Sequence, residues 1–281
     1  MSEAAQDIRL VITDFDGTIK PRLEPVGARD CQVLRQMGQL GLVRVVATGR
    51  SLVSFLRDWP PGMELDYLIY SSGLGLCHWT PDGPGEHIFA KTFTPSEQKL
   101  ATQVALALDW GFIAFLAPPN SHSFYYFDPP HSPRTPGFQA RLDQFSSVAT
   151  PWSKVDPEVA LAQILIMAPA LGFSQLRDRF QALAPDLSLT QSSSPYGDNS
   201  QWLEIFPAGV SKGSASQALV ERLGWDSQRA VAVGNDFNDE DLLAWAGRGF
   251  VVANAPSELL AKFEALAVGD SALAQVWRAI S

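Results

Sequence analysis

Short runs of β-branched and other apolar residues alternate with stretches whose apolar residues recur every three or four positions, so strands and helices follow one another from the start. Ile8 to Thr13 reads as a buried strand. Gly27 to Leu40 carries Cys31, Val33, Leu34, Met37 and Leu40 at helical spacing, and Gly41 stops it. Val43 to Thr48 predicts a second strand, Ser51 to Trp59 a short helix ended by Pro60-Pro61, and Tyr67 to Ser71 a third strand. The same alternation returns at the far end. Lys212 to Leu223 reads as a helix, Arg229 to Val233 as a strand, Asn238 to Ala246 as a helix and Gly249 to Ala253 as a strand, with Ser257 to Ile280 helical and amphipathic. Strands interleaved with helices predict a parallel sheet covered on both faces.

The middle of the chain has another texture. Trp79 to Glu86 (WTPDGPGE) reads as a turn-rich exit. Beyond it a helix is expected over Ser96 to Trp110, then strand-like runs at Phe112 to Ala117 and Ser123 to Phe127, split by Pro118-Pro119-Asn120. A proline-rich loop at Ser132 to Pro136 precedes a helix near Phe138 to Phe145. A strand at Leu161 to Met167, a helix at Phe173 to Leu183 and strands at Leu187 to Gln191 and Gln201 to Phe206 follow. The expected organisation is a parallel-sheet core built from residues 1–83 and 205–281, with an α+β domain over 84–204 set into it.

Composition narrows the classes. Of 281 residues, 46% are hydrophobic and 18% charged, which supplies core material for two domains and gives no case for disorder. A net charge of −9 disfavours nucleic acid and anionic membrane surfaces as partners. A small anionic substrate then requires local positive charge. Cys31 and Cys77 are isolated, as in reduced cytosolic proteins, and His78, His87, His122 and His131 lack zinc-ligand spacing. Met1 to Arg9 shows no secretory pattern, and the most apolar stretch, Leu161 to Phe173, is short for a membrane span. A cytoplasmic location is the expectation.

Ligands of open parallel sheets sit beyond the carboxyl ends of the strands. The first predicted strand runs into Asp14-Phe-Asp16-Gly-Thr18, the second into Thr48-Gly49-Arg50, and the strand near Arg229 into Gly234-Asn-Asp-Phe-Asn-Asp239; Lys212 opens a helix. Asp14 and Asp16, two residues apart, can project to one side. Such a pair suits acid–base work, a metal site or a nucleophile, or merely caps the next element. Thr48-Gly49-Arg50 is an ordinary helix start, and Lys212 by itself a solvated lysine. Four acidic residues and two asparagines within Asn235 to Asp241 exceed what a helix cap needs.

Order and conjunction carry more than any one group. Asp-x-Asp-Gly-Thr, Thr-Gly-Arg, an isolated lysine and Gly-x-x-x-Asn-Asp together resemble the haloacid dehalogenase-like hydrolases. The long insert resembles the type IIB cap of the Cof-type group, which includes sucrose-phosphatase-like and phosphomannomutase-like members. Leu203 to Gly213 (LEIFPAGVSKG) is similar to that group's return from cap to core. The resemblance implies a Rossmann-like α/β core and a Mg²⁺-dependent phosphatase acting on a small phosphate monoester, in the first instance a sugar phosphate. It makes Asp14 the nucleophile that forms an aspartyl-phosphate, and Asp16 the acid and then base, with neighbours expected to favour its protonated form. Thr48, Gly49, Lys212 and Asn238 would hold phosphoryl oxygens, with Arg50 and Asp239 in support. Mg²⁺ would rest on Asp14, the carbonyl of Asp16, and Asn235 or Asp236. The family pattern has an aspartate where this chain has Asn235, so one negative charge is missing from that set.

Asn120, His122, Tyr125, Tyr126 and Arg134, near the predicted hairpin, are candidates for reading the leaving group, or simply residues of a cap sheet with one packed and one wet face. A phosphomutase is the nearest rival activity. It calls for basic cap residues around one pocket, whereas Lys91, Lys99, Arg134, Arg141, Lys154, Arg177 and Arg179 are dispersed along the sequence. A non-catalytic phosphometabolite-binding module is the alternative of another class; intact Asp14, Asp16, Thr48 and Lys212 argue against it.

Overall fold

The computed structural model describes residues 7–21, 24–131, 134–194 and 196–281. The absence of a secretory pattern over Met1 to Arg9 and the proline-rich loop from Ser132 thus fall partly on residues 1–6 and 132–133, outside the described residues. The chain divides into two compact units, residues up to Phe89 with Ser211–Ser281, and Ala90–Val210.

The first unit opens with β1 (Leu10–Thr13), α1 (Ala28–Gln39), β2 (Val43–Ala47), α2 (Leu52–Asp58), β3 (Tyr67–Tyr70), β4 (Gly75–Thr80) and β5 (Gly83–Ala90). The second unit contains α3 (Pro95–Ala107), β6 (Phe112–Leu116), β7 (Phe124–Phe127), α4 (Pro136–Gln144), β8 (Ala149–Pro151), β9 (Leu161–Pro169), α5 (Phe173–Leu183), β10 (Ser188–Ser193) and β11 (Ser200–Phe206). The chain returns to the first unit through α6 (Lys212–Leu223), β12 (Ala230–Gly234), α7 (Glu240–Trp245), β13 (Arg248–Val251), α8 (Ser257–Leu260), β14 (Glu264–Ala265) and α9 (Ala272–Ile280).

Eight strands form the first sheet, in the order β14-β13-β12-β1-β2-β3-β4-β5. From β14 to β3 neighbouring strands are parallel. Period-two alternation splits their side chains between two apolar layers. Val11, Val46, Val231 and Val233 pack with Val33, Leu34 and Met37 of α1 and Leu273 and Val276 of α9. Leu10, Ile12, Val45, Ala230 and Ala232 pack with Leu219 of α6 and Leu242 and Leu243 of α7. Strands buried on both faces are apolar at nearly every position, which is why LVIT, ending in the hydrogen-bonded Thr13, and AVAVG read as nearly continuous runs. Each fully buried Val, Leu or Ile contributes about 1.5–3 kcal/mol.

Four readings need correction. Trp79 to Glu86 is no exit from the sheet: β4 pairs antiparallel with β3, and β5 extends the sheet beyond it, making the sheet mixed. Only the turn at Asp82-Gly83 was legible there, and Gly83 takes φ 118°. The tail from Ser257 is also not one helix. It breaks into α8, the edge strand β14 and α9, whose start is fixed when Asp30 of α1 accepts hydrogen bonds from Ser271 Oγ (2.6 Å) and Leu273 N (3.1 Å). The predicted helix at Asn238 starts as a single tight turn, Phe237–Asp239, before α7. Strand β8 had no sequence signal, and Pro136 begins α4, capped by Thr135, instead of closing a loop.

The second unit is a six-stranded sheet in the order β10-β11-β9-β6-β7-β8. One face packs on α3 and α5 through Phe112, Ala114, Ile164, Ile166, Leu203 and Ile205. The other carries Ile113, Phe115, Phe124, Leu165, Met167 and Trp202 and meets Phe138 and Leu142 of α4. Among the described residues no helix is long and apolar enough to cross a membrane.

Candidate active site

Because β1, β2, β3 and β12 run parallel, the residues that follow them collect at one rim. Asp14 follows β1, Thr48 follows β2, Ser71 follows β3 and Asn235 follows β12. The Asp14 amide donates to Val233 O (2.8 Å), which ties the first motif to the last.

Lys212 stands at the first position of α6, set by a reciprocal cap between Ser211 and Ser214. Its side chain is fully buried. Nζ donates to Asp14 Oδ1 (2.7 Å) and Asp239 Oδ1 (2.5 Å). Burial opposes its charge, but the two carboxylates outweigh this and hold the ammonium protonated well beyond the usual lysine range. Asp239 is in turn fixed by accepting from the amides of Asn235 (2.9 Å) and Asp236 (3.2 Å) through Oδ2. Burial pushes the Asp14 carboxyl up to about 7; the charge of Asp239 adds to the rise and Lys212 opposes it. Lys212 is therefore what favours the ionised form of Asp14.

Gly17 takes φ 83°, and a side chain there would meet Asn235 Nδ2 at 2.4 Å, so both conformation and space demand glycine. That close approach brings the Asn235 carboxamide onto the first motif. One of its terminal atoms lies 3.1 Å from Asp14 Oδ2, 2.8 Å from Asp16 O and 3.2 Å from Thr18 Oγ1. With nitrogen in that place, the amide donates to these oxygens. With oxygen there, it adds a third hard donor beside Asp14 and the Asp16 carbonyl. Mg²⁺ binds oxygen at about 2.0–2.1 Å in an octahedron, so adjacent ligands stand about 2.9 Å apart, and the observed spacings suit it. Among the described residues no trio of His, Cys, Asp and Glu forms a metal cluster, so a cation here would rest on this mixed set. Asp236, the other candidate ligand, caps the following turn, its Oδ1 accepting from Phe237 N (2.8 Å).

Asp16 meets a cation. Arg50 donates to both its carboxylate oxygens (Nε to Oδ2 2.6 Å, Nη2 to Oδ1 2.7 Å), lies over the Phe15 ring, and also donates to Asp58 (2.5 Å) and Ser54 O (3.2 Å). Sequence reasoning expected neighbours that keep a proton on Asp16; the structure supplies a planar two-point partner for the carboxylate. Thr48 is buried, and its Oγ1 accepts from Arg50 N (3.1 Å). Gly49 has Asn238 Nδ2 and Ser72 Oγ beside it, 3.8 and 3.4 Å from where its Cβ would be. Asp58 and Ser72 were missed, and Asp241 was noted only as part of the acidic cluster. Asp241 accepts from Gly213 N (2.7 Å) and pins the start of α6. Nothing in the local sequence pairs Asp58 with Arg50; the only signal was a charge at the end of a short helix.

In the second unit, Tyr125 and Tyr126 lie on β7, while Asn120 and His122 fall in the turn before it. Arg134 pairs with Asp128 and Gln139.

A family model described as haloacid dehalogenase-like hydrolase matches residues 11–272. The chain belongs to the haloacid dehalogenase-like hydrolases. It is an enzyme of this hydrolase family, and among its curated relatives is the HMP-PP phosphatase of Cronobacter sakazakii, 27% identical over 265 residues, covering 92% of this chain and 89% of that one. The HMP-PP phosphatase of Klebsiella pneumoniae is 41% identical over 69 residues, about a quarter of either chain (24% and 25%). A phosphatase of the superfamily from Bacteroides thetaiotaomicron superposes with TM-score 0.78 at 18% identity, over 100% of this hydrolase and 97% of that chain. A subclass IIB sugar phosphatase superposes with TM-score 0.68 at 14% identity, over 92% of each chain. At such identities the two structures establish the fold: an α/β core with an inserted second sheet.

Proposed function

We propose that this hydrolase cleaves a small phosphate monoester, in the first instance a sugar phosphate, through an aspartyl-phosphate on Asp14. The observation that carries the reading is the fully buried Lys212 ammonium bridging Asp14 and Asp239 at a strand end. A buried carboxylate whose ionised form a lysine favours is a poised nucleophile, and the same ammonium offsets charge on the arriving phosphoryl group.

In this scheme an oxygen of Asp14 attacks phosphorus, the bond to the leaving oxygen breaks, and Asp16 delivers the proton that oxygen needs. Asp16 then accepts a proton from the water that hydrolyses the acyl phosphate, releasing inorganic phosphate and restoring Asp14. Asp16 must first come away from Arg50, and an incoming phosphoryl group offers that arginine another anion. Thr48, Gly49 and Asn238 would bind phosphoryl oxygens. Asp14, the Asp16 carbonyl and Asn235 would hold Mg²⁺, which when bound offsets negative charge on the reacting group. The relatives' names support phosphate chemistry. The dispersal of the second unit's basic residues, with Arg134 on Asp128 and Arg177 on Asp178, favours a phosphatase over a mutase.

Turnover of a chromogenic aryl phosphate, with and without Mg²⁺, tests the proposal alongside Asp14→Asn. We expect Mg²⁺-dependent release of phosphate by the wild type and a loss of at least about 10³-fold in the variant, as when other covalent nucleophiles are removed. A wild type that turns over no ester in a broad panel would sink the reading, and a hexose 1-phosphate converted to its 6-phosphate would replace it with the mutase.

A further inference from the structure

The turn after β3 contains an unexplained side chain. Ser71, Ser72 and Gly73 all take positive φ (50°, 54° and 101°), a left-handed run that non-glycine residues adopt only where the surroundings impose it. Three contacts impose it here. Ser71 N donates to Arg50 O (2.8 Å), Ser72 N donates to Thr48 O (3.0 Å), and Gly73 sits so close to Ser211 that a side chain would lie 2.2 Å from its carbonyl oxygen. The turn is laced to the Thr48–Arg50 segment on one side and to the start of α6 on the other.

The consequence is a hydroxyl with no partner. Ser72 is only 4% exposed, and its Oγ has no hydrogen-bond partner. Buried hydroxyls are nearly always satisfied, and leaving one orphaned opposes folding. This one lies beside Gly49, with the Asn238 amide on the same glycine. Strain and an unmet donor at one residue, against the segment proposed to hold phosphate, are two independent departures from what stability alone would select.

We infer that the Ser72 hydroxyl is a ligand of the phosphoryl group, donating to an oxygen of the bound ester and of the inorganic phosphate that remains after hydrolysis. The inference rests on the phosphatase reading and adds to it a residue from the turn after β3, outside the four motifs. The left-handed turn is what delivers the hydroxyl; an extended continuation of β3 would carry it along the strand instead.

Two variants separate hydroxyl from backbone. Ser72→Ala removes the donor and keeps a Cβ at positive φ, whereas Ser72→Gly removes the donor and also the strain. Calorimetric titration of the full chain with inorganic phosphate in the presence of Mg²⁺ is expected to give about 10-fold weaker binding for both, the loss typical of one hydrogen bond to a charged acceptor. KM for an aryl phosphate should rise in parallel, and the melting temperature of Ser72→Gly should equal or exceed that of the wild type. Phosphate affinity and KM within twofold of wild type in Ser72→Gly would overturn the inference while leaving the phosphatase reading intact. A wild type that neither binds phosphate nor turns over any ester would remove both.

Discussion

Each unit of the molecule buries charge, and the two do it by different physics. In the first, Lys212 is clasped between Asp14 and Asp239 by direct ionic hydrogen bonds, with the neutral Asn235 completing the ring of contacts. In the second, the buried Glu204 accepts from neutral donors, Ser192 Oγ at 2.6 Å and Gln163 Nε2 at 2.8 Å. Nearby on that sheet face, the Arg141 guanidinium lies over the rings of Phe115, Phe145 and Trp202 at 5.3, 5.1 and 5.7 Å, and Nε has no hydrogen-bond partner. Desolvation pulls the Arg141 pKa below its ordinary value, with Tyr196 and Glu204 opposing. Charge met by charge suits groups that must stay ionised for chemistry. Charge met mainly by dipoles and rings, with Glu204 and Arg141 acting on each other only as a lesser effect, suits groups that hold a sheet together, and removing one of them strands less.

The sharpest way to break this contrast is Lys212→Met, which keeps the length of the side chain and removes the ammonium. Asp14 and Asp239 would then be two buried carboxylates with no cation between them. Removing one partner of such a buried set is expected to destabilise the chain by about 3–5 kcal/mol, read as a fall in the urea midpoint, and to abolish turnover. Adding Asp239→Asn to that variant should recover part of the loss, since the residues act as a unit. A loss under about 1 kcal/mol in the single variant would mean that the three charges are not interdependent, contrary to the geometry.

Glu204→Gln probes the other unit. The replacement amide still accepts one hydrogen bond, and the Ser192 hydroxyl can rotate to accept from its NH₂ group. The expected destabilisation is about 1–2 kcal/mol, the scale of one perturbed buried hydrogen bond, with turnover of an aryl phosphate changed less than stability. A loss as large as that of Lys212→Met would show that Glu204 answers mainly to charge, and the distinction between the units would fall.

These contacts were unequally visible in the sequence. Asp14, Thr48, Asn235 and Lys212 could be placed because each follows a strand or opens a helix, and strand ends are readable from periodicity; the roles expected of them came from the family resemblance. Gln163 and Glu204 also left a signal, as polar residues at inward positions of LAQIL and WLEIF, which implies partners on neighbouring strands. The Asp16–Arg50–Asp58 set did not, since its members are 34 and 8 residues apart and their meeting depends on sheet twist and rotamers. Ser72 was invisible for a related reason: apolar patterning ends with the strand, and a left-handed turn has no periodicity. The tail from Ser257 misled because an amphipathic pattern also fits two helices with an edge strand between them, and Ser271 is recognised as a cap only once Asp30 is seen beside it.

A smaller change tests the neutral member of the first cluster. Asn235→Asp places a carboxylate where the amide now stands, 3.1 Å from Asp14 Oδ2. Without metal, the new charge faces Asp14 and the Asp16 carbonyl with no proton to share, whereas the asparagine can turn its NH₂ toward both. The metal-free variant should therefore melt a few degrees below wild type, the shift expected of about 1 kcal/mol in a chain of this size. With Mg²⁺ the sign reverses, because the added charge strengthens attraction to the cation more than the amide oxygen can. We expect Mg²⁺ to bind about 10-fold more tightly, worth about 1.4 kcal/mol, so the gap in melting temperature should close or invert as Mg²⁺ is raised. Calorimetric Mg²⁺ titration and melting curves with and without chelator read the two halves separately. Unchanged or weaker Mg²⁺ binding would take Asn235 out of the ligand set. An unchanged metal-free melting temperature would instead show that Asp14 tolerates a second buried carboxylate, and so that Lys212 alone sets the charge balance of the site.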